Sequence, residues 1–286
     1  MQAIYAHEHI TIDLSGPKND ADCRLDDREL TLSGLKSMRK AGVKTVVDQT
    51  ARGMGRDPRY AQALADEACL RVIHATGFYK EPFLPEECYT MDEASMRRLF
   101  LSEIEDGVEE TGIKAGLIGE IGTGKDRIAP VEEKIFRAAA KAHRETGAPI
   151  CTHTTLGTLG MEQVELLRSR GADLAHVALS HIDLSGCVDY MVRLLDTGVN
   201  IGFDTIGKNN YQPDEKRVIW LKELCERGYA GQIVLSMDLT RKSNCRELGH
   251  DYLMTRFVPR LIEAGFQRRW LDAMLWENPM RIYRLS

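Results

Sequence analysis

The sequence predicts an α/β chain folded as a (β/α)8 TIM barrel, and three observations predict it. Eight short apolar or β-branched runs alternate with segments of helical periodicity along 286 residues. No linker or low-complexity tract interrupts them, so residues 1–286 read as a single barrel domain. No G-x-G-x-x-G follows the first run, which weakens the case for an open dinucleotide-binding sheet. Alternating β and α units imply parallel strands joined by right-handed crossovers.

The first strand is the apolar segment Met1 to Ala6, leading into His7-Glu8-His9. Thr11 to Asp27 is polar, contains Gly16-Pro17, and reads as a loop. Leu30, Leu35 and Met38 mark a helix ending near Gly42, and the β-branched run Val43 to Asp48 is the second strand. Pro58 to Leu70 carries Tyr60, Ala61, Leu64 and Ala68 on one helical face, and Arg71 to Gly77 is the third strand. After a loop with Pro82 and Pro85, Thr90-Met91-Asp92-Glu93 has the form of a capping box opening the next helix. Ala115 to Ile121 is the fourth strand, and Pro130 sits where a helix begins that runs to Gly147. Pro149–Thr152, Ala175–Ser180, Val199–Phe203 and Gln232–Met237 are the remaining strands. Helices near Met161–Arg170, Ser185–Thr197 and Pro213–Arg227 separate them, and two more close the chain at Tyr252–Ala264 and Arg268–Glu277.

Composition narrows the function. The net charge is −5 with interspersed signs and no basic stripe, so nucleic acid is not an expected partner. No apolar run approaches the ~20 residues that span a bilayer, so no membrane is expected. The first strand leaves no room for a signal peptide. Seven scattered cysteines without a C-x-x-C suit free thiols in a reducing compartment, and the expected location is cytoplasmic.

In a barrel of this kind chemistry sits at the C-terminal ends of the strands. Read there, the ends present His7 and His9, then Glu120, His153, His181 and Asp238. His7 and His9, two apart in a strand, point to one face while Glu8 faces the other. Alone, this pair is equally a metal seat or two solvated histidines near the start of the chain. Four imidazoles and two carboxylates at one end of one barrel are the donor set of two divalent metals. Zn suits them best, Mn or Fe also, and the absence of Cys ligands argues against a structural zinc site. The other histidines read as structural: His143 solvated on a helix, His176 at the wrong end of its strand, His74 in the core, His250 in a loop with little chance of touching substrate. Cys151 and Cys187 read as packing residues.

These segments resemble the phosphotriesterase family of the amidohydrolase superfamily, most closely its phosphotriesterase homology branch. The resemblance spans essentially the whole chain. It is carried by His7-Glu8-His9, Gly112-Ile113-Lys114-Ala115-Gly116, Gly119-Glu120-Ile121-Gly122, Thr152-His153-Thr154 and Ser180-His181-Ile182-Asp183. Phe203 to Lys208, Ser236-Met237-Asp238 and the closing Glu277-Asn278-Pro279 complete it. It implies a hydrolase in which His7, His9 and Asp238 hold the more buried metal and His153 and His181 the more exposed one. A side chain from the fourth strand and a hydroxide would bridge them. In most of the family that side chain is a carboxylated lysine. Here the lysine column falls on Gly119, and Glu120 one place later offers the carboxylate, which requires the strand to end or bulge there. The resemblance also implies a small-molecule substrate and a homodimer.

The expected mechanism is attack by the shared hydroxide on carbon or phosphorus, with Asp238 as catalytic proton acceptor. Substrate choice would lie in the loops after strands three, seven and eight. Phe78 and Tyr79 offer an apolar wall or ordinary loop packing. Lys208 and Arg241 either approach each other above the metals to hold a phosphate or carboxylate, or are solvated loop charges. In the branch that hydrolyses phosphorylated lactones a tyrosine follows the arginine; here that place holds Asn244. The expected substrate is a carboxyl ester or lactone, possibly phosphorylated. An organophosphate or other phosphoester is the alternative, as is a metal-containing barrel that binds a ligand without turnover.

Overall fold

The computed structural model describes residues 1–285. Eight parallel strands lie in chain order in one nearly closed barrel: β1 (Ala3–Glu8), β4 (Val43–Asp48), β5 (Arg71–Thr76), β6 (Ala115–Thr123), β7 (Ile150–Thr154), β8 (Val177–Ser180), β9 (Asn200–Phe203) and β10 (Ile233–Leu235). β2 (Ile12–Asp13) and β3 (Arg24–Leu25) form a small antiparallel pair inside the loop after β1. Helices pack outside, and no helix among the described residues is long and apolar enough to cross a membrane.

The strands read as near-continuous apolar runs because both faces are covered. Ile4, Ala6, Val47, Ile73, Ala75, Leu117, Ala178 and Val234 fill the barrel interior, while Tyr5, Val46, Val72, Ile118 and Ile150 face the helices. The β1–β4 register slips between Tyr5 and Glu8, which breaks the period of two there, so that His7 turns toward the cavity and Glu8 away from it. Glu8 then does structural work at the seam between first and last strand. Its carboxylate accepts from Ser236 Oγ (2.7 Å), Met237 N (2.8 Å) and Leu239 N (3.3 Å), and Asp238 N donates to His7 O (3.2 Å).

Several local expectations are corrected. Asp92, not Thr90, caps its helix, accepting from Ser95 N (2.7 Å), because Thr90 closes the short helical turn before it. A helix at Lys242–Leu248 follows β10 where the polar sequence read as loop. His143 is buried rather than solvated: its Nδ1 bonds Ala148 O (2.7 Å) and its Nε2 accepts from Asp173 N (3.0 Å). The turn after its helix folds back over it. Cys187 is exposed, whereas Cys151 is buried beside the Tyr283 hydroxyl (3.3 Å). His74 is buried against Gln62 (3.1 Å), and His250 is buried against the helix Arg28–Lys40, away from the central cavity.

Candidate metal centre

The C-terminal strand ends bring His7, His9, Glu120, His153, His181 and Asp238 together, all but His153 buried. Glu120 stands in the middle. Its Oε2 lies 3.5 Å from His7 Nε2, 3.3 Å from His153 Nδ1 and 3.6 Å from His181 Nε2, and its Oε1 lies 3.6 Å from His9 Nε2. Asp238 Oδ1 is 3.2 Å from His9 Nε2 and 3.6 Å from His7 Nε2.

Glu120 reaches this position through a bulge. The β6–β7 register slips between Ile118 and Ile121, and Glu120 N bonds Gln49 O (3.0 Å). Position 119 must stay glycine on this backbone, since a Cβ there would lie 2.5 Å from Cys151 O. The slip turns the residue after the lysine column inward.

Neighbouring polar groups fix the imidazoles. Asp204 Oδ1 accepts from both His181 N and His181 Nδ1 (2.8 Å each), leaving Nε2 as the free lone pair. Thr50 Oγ1 has one proton, and Asp48 Oδ1 (2.6 Å) and Thr11 O (2.8 Å) both compete for it. Its contact with His9 Nδ1 (2.9 Å) is therefore donated by the ring. Ser180 Oγ holds His7 Nδ1 at 2.8 Å. Asp204 has room because residue 202 is glycine: a Cβ there would meet Asp204 Oδ2 at 2.3 Å. Thr50 and Asp204 were not assigned from the sequence. Asp204 follows the end of β9, so the strand-end rule that found the others points to it.

The electrostatics are those of a closely coupled cluster. Burial alone would raise Glu120, but His7, His153 and His181 hold its carboxyl well below the ordinary range. Burial raises Asp238 in the same way, and Lys208 and His9 outweigh it to bring it well down. Burial lowers His153 to about 4. It also lowers His7, while His181 rises against burial because of Asp204.

The donor set fits divalent ions. His7 Nε2, His9 Nε2 and Glu120 Oε2 are buried without a hydrogen-bond partner, an arrangement that costs several kcal/mol unless a cation fills the gap. Donors held ~2.0–2.2 Å from one ion in tetrahedral geometry stand ~3.3–3.6 Å apart, close to the spacings found here. Two sets of donor atoms lie within 4.8 Å of one another: His7, His9 and Asp238, and His7, Glu120 and His181. The expected pairing of His153 with His181 is only partly seen. The two rings are in contact at 4.6 Å between centroids, but His153 hydrogen-bonds the Tyr79 hydroxyl (3.1 Å) and stands outside both sets.

A cavity of about 280 Å³ opens over the cluster, lined in part by Tyr79, Phe83, His153, Lys208 and Asp238. Tyr79 is therefore a wall, whereas Phe78 is fully buried and packs on Phe100. Lys208 reaches into the cavity and bonds Asp238 Oδ2 (2.5 Å). Arg241 does not meet it there. Its guanidinium is held by Asp20 (2.5 Å) and Asp22 (3.6 Å) from the loop after β1, and it does not line the cavity. Two carboxylates of a neighbouring loop satisfy it, so the expected Lys208–Arg241 pair does not form.

The Phosphotriesterase family profile matches residues 2–283. The chain is 43% identical over 282 residues to the phosphotriesterase homology protein of Escherichia coli (strain K12), spanning 98% of this chain and 97% of that one. The crystal structure of that Escherichia coli protein, complexed with phosphate in its active site, superposes with a TM-score of 0.96 at 42% identity, covering 99% of this chain and 98% of that one. A lactonase from Listeria monocytogenes superposes with a TM-score of 0.93 at 29% identity, covering 100% and 95%. A barrel whose strand ends gather imidazoles and carboxylates, matched along its whole length, belongs to the phosphotriesterase family of metal-dependent hydrolases.

Proposed function

We propose that this protein hydrolyses a carboxyl ester or lactone, with His7, His9, Glu120, His153, His181 and Asp238 holding two divalent ions, Zn by preference and Mn or Fe as alternatives. The observation that carries the reading is the set of buried, partnerless donor atoms on His7, His9 and Glu120 at the floor of an open cavity. When bound, such ions acidify a water toward a pKa of ~7 and polarise the oxygen of the bond to be cleaved. Asp238 is the proton acceptor: one carboxylate oxygen faces His9 and the other is fixed by Lys208, so its orientation is set before substrate arrives. The Tyr79 hydroxyl lies 3.1 Å from His153 Nδ1, and the ring bounds the space for the acyl or ring portion. Asp204, Thr50 and Ser180 hold three of the imidazoles with Nε2 inward.

The lactonase from Listeria monocytogenes supports lactones among the substrates. A phosphoester is the second reading, favoured by the phosphate in the active site of the Escherichia coli relative. A screen of metal-supplemented protein against lactones, carboxyl esters and phosphoesters separates the two. Failure to retain any divalent metal after supplementation would sink the metal-centre reading. Asp238→Asn turning over at the wild-type rate would remove Asp238 as proton acceptor. The family resemblance further supports a homodimer, which light scattering at known concentration tests.

A further inference from the structure

The central cavity carries more positive charge than the hydrolytic chemistry uses. Three lysines line it, Lys18, Lys80 and Lys208, against two carboxylates, Glu120 and Asp238, both belonging to the ligand cluster. Lys208 is spoken for by Asp238. Among the described residues, Lys18 and Lys80 have no carboxylate within 4.0 Å. Lys80 Nζ makes one hydrogen bond, to Glu81 O (3.2 Å), and keeps its other protons free.

The two side chains are placed rather than loose. Lys80 is half-buried, and its stem lies across Gly122 at the end of β6. A Cβ at position 122 would meet Lys80 Cβ at 3.2 Å, Lys80 Cδ at 3.3 Å and His153 Cβ at 3.1 Å. That absent side chain lets Lys80 run beside His153 in the wall of the cavity that Glu120 also lines. Its ammonium sits 5.5 Å from the Tyr79 ring centroid and 5.4 Å from that of Phe83, and Lys18 sits 5.9 Å from the same Phe83 ring. Lys18 is exposed, but its loop is anchored. Asp20 and Asp22 bind Arg241, Asp22 accepts from Ser243 N (2.8 Å) and Ser243 Oγ (2.5 Å), and Asp26 binds Lys242 (2.6 Å). Arg241 is thus a positioning residue for the loop that carries a free cation.

Two ammonium groups over one aromatic ring repel each other. Burial lowers Lys80 most, and the neighbouring charge of Lys18 adds to the shift while Glu132 and Glu120 oppose it. An anion between the two heads would relieve that repulsion and meet unspent N–H donors.

We propose that Lys18 and Lys80 form an anion-recognising rim over Phe83, so that the substrate of this site carries an oxyanion group, phosphate or carboxylate, remote from the bond that is cleaved. The proposal rests on the hydrolase reading above. It moves substrate recognition from the loops after β9 and β10 to those after β1 and β5. The apolar part of the substrate then lies between Tyr79 and the metal cluster, with its charged end at the mouth.

Three aryl esters that differ only in the remote group test this: phenyl acetate, 4-acetoxybenzoate and 4-acetoxyphenyl phosphate. The wild-type enzyme, loaded with zinc, is expected to favour the charged esters in kcat/KM. In Lys18→Gln/Lys80→Gln the preference for a charged ester over phenyl acetate falls about tenfold or more, mainly through KM. A larger fall for the phosphate than for the carboxylate identifies a phosphomonoester end, and an equal fall identifies any oxyanion. A preference unchanged in the double variant overturns the proposal and leaves the hydrolase reading standing. If the wild type cleaves none of the three, the hydrolase reading is what has failed for aryl esters. The rim is then read by calorimetric binding of benzoate and phenyl phosphate to the zinc-loaded protein. Affinity weakened about tenfold in the double variant supports it, and equal affinity overturns it.

Discussion

Lys208 places its ammonium 2.5 Å from Asp238 Oδ2, and both groups are buried at the floor of the cavity. The lysine's charge is thus met by the chain's own carboxylate. A charge-assisted hydrogen bond of this kind is worth ~1.5–3 kcal/mol, or ~10–100-fold in rate if it is needed in the transition state. Lys208→Met is expected to lower kcat by that factor for neutral and charged esters alike. Steady-state kinetics on the matched pair phenyl acetate and 4-acetoxybenzoate check it. A loss confined to the charged ester would reassign Lys208 to substrate recognition.

Metal removal is expected to weaken the fold as well as abolish turnover. The Nε2 atoms of His7 and His9 and Oε2 of Glu120 are buried with no hydrogen-bond partner, so the metal-free state carries their desolvation cost. A ligand at ~1,000 times its Kd stabilises by ~4 kcal/mol, which for a chain of this size raises Tm by roughly 5–10 °C. Scanning calorimetry of chelator-treated protein before and after zinc addition gives the shift. No difference would mean that these donors hold no ion.

Much of this was legible in the sequence because strand ends in a barrel are predictable from hydrophobic runs, and the runs stop where the donors begin. Val177-Ala178-Leu179-Ser180 ends at His181, and Ile233-Val234-Leu235 stops three residues short of Asp238. What the residues could not show was long-range pairing. Arg241 follows β10 just as a cation for substrate would, but its partners Asp20 and Asp22 come from the other end of the chain. The lysine column falls on Gly119, so an inward carboxylate at Glu120 requires a bulge, and the slip between Ile118 and Ile121 is that bulge. Thr50 gave no signal, since a threonine after a β-branched strand reads as more strand. Lys80 sits one residue past Tyr79 in a loop. Only the packing of its stem on Gly122 distinguishes it from a solvated charge.

Arg217 holds together two loops that bear on the site. It is fully buried and donates through Nε to Asp183 Oδ2 (2.7 Å), through Nη2 to Thr205 Oγ1 (2.7 Å) and through Nη1 to Asp214 Oδ1 (3.0 Å). Asp183 follows His181, Thr205 follows Asp204, and Asp214 in turn accepts from Gly207 N (3.0 Å) beside Lys208. Arg217→Met strands two buried carboxylates and is expected to cost ~3–5 kcal/mol in urea unfolding. Asp204 and His181 are displaced with their loops, so zinc affinity in a competition titration is expected to fall too. Loss of stability with unchanged zinc affinity would make Arg217 structural only.

His250 gives the fold an acid-sensitive point outside the metal cluster. Its ring is buried against Gly34 of the helix Arg28–Lys40, so close that a Cβ at position 34 would overlap it at 2.1 Å. Burial lowers its pKa from 6.5 to about 4, with Asp251 opposing weakly. The unfolded chain therefore binds this proton more readily than the folded one. The associated stability is complete above the unfolded value of ~6.5 and is lost as pH falls from there toward about 4. A shift of that size corresponds to at most ~3 kcal/mol, since each pKa unit is 1.36 kcal/mol. His250→Phe keeps a ring in the pocket and removes the titration. Urea unfolding at neutral and mildly acidic pH, wild type against variant, is expected to show a smaller acid loss in the variant. The two proteins losing stability in parallel would assign the acid sensitivity to other groups.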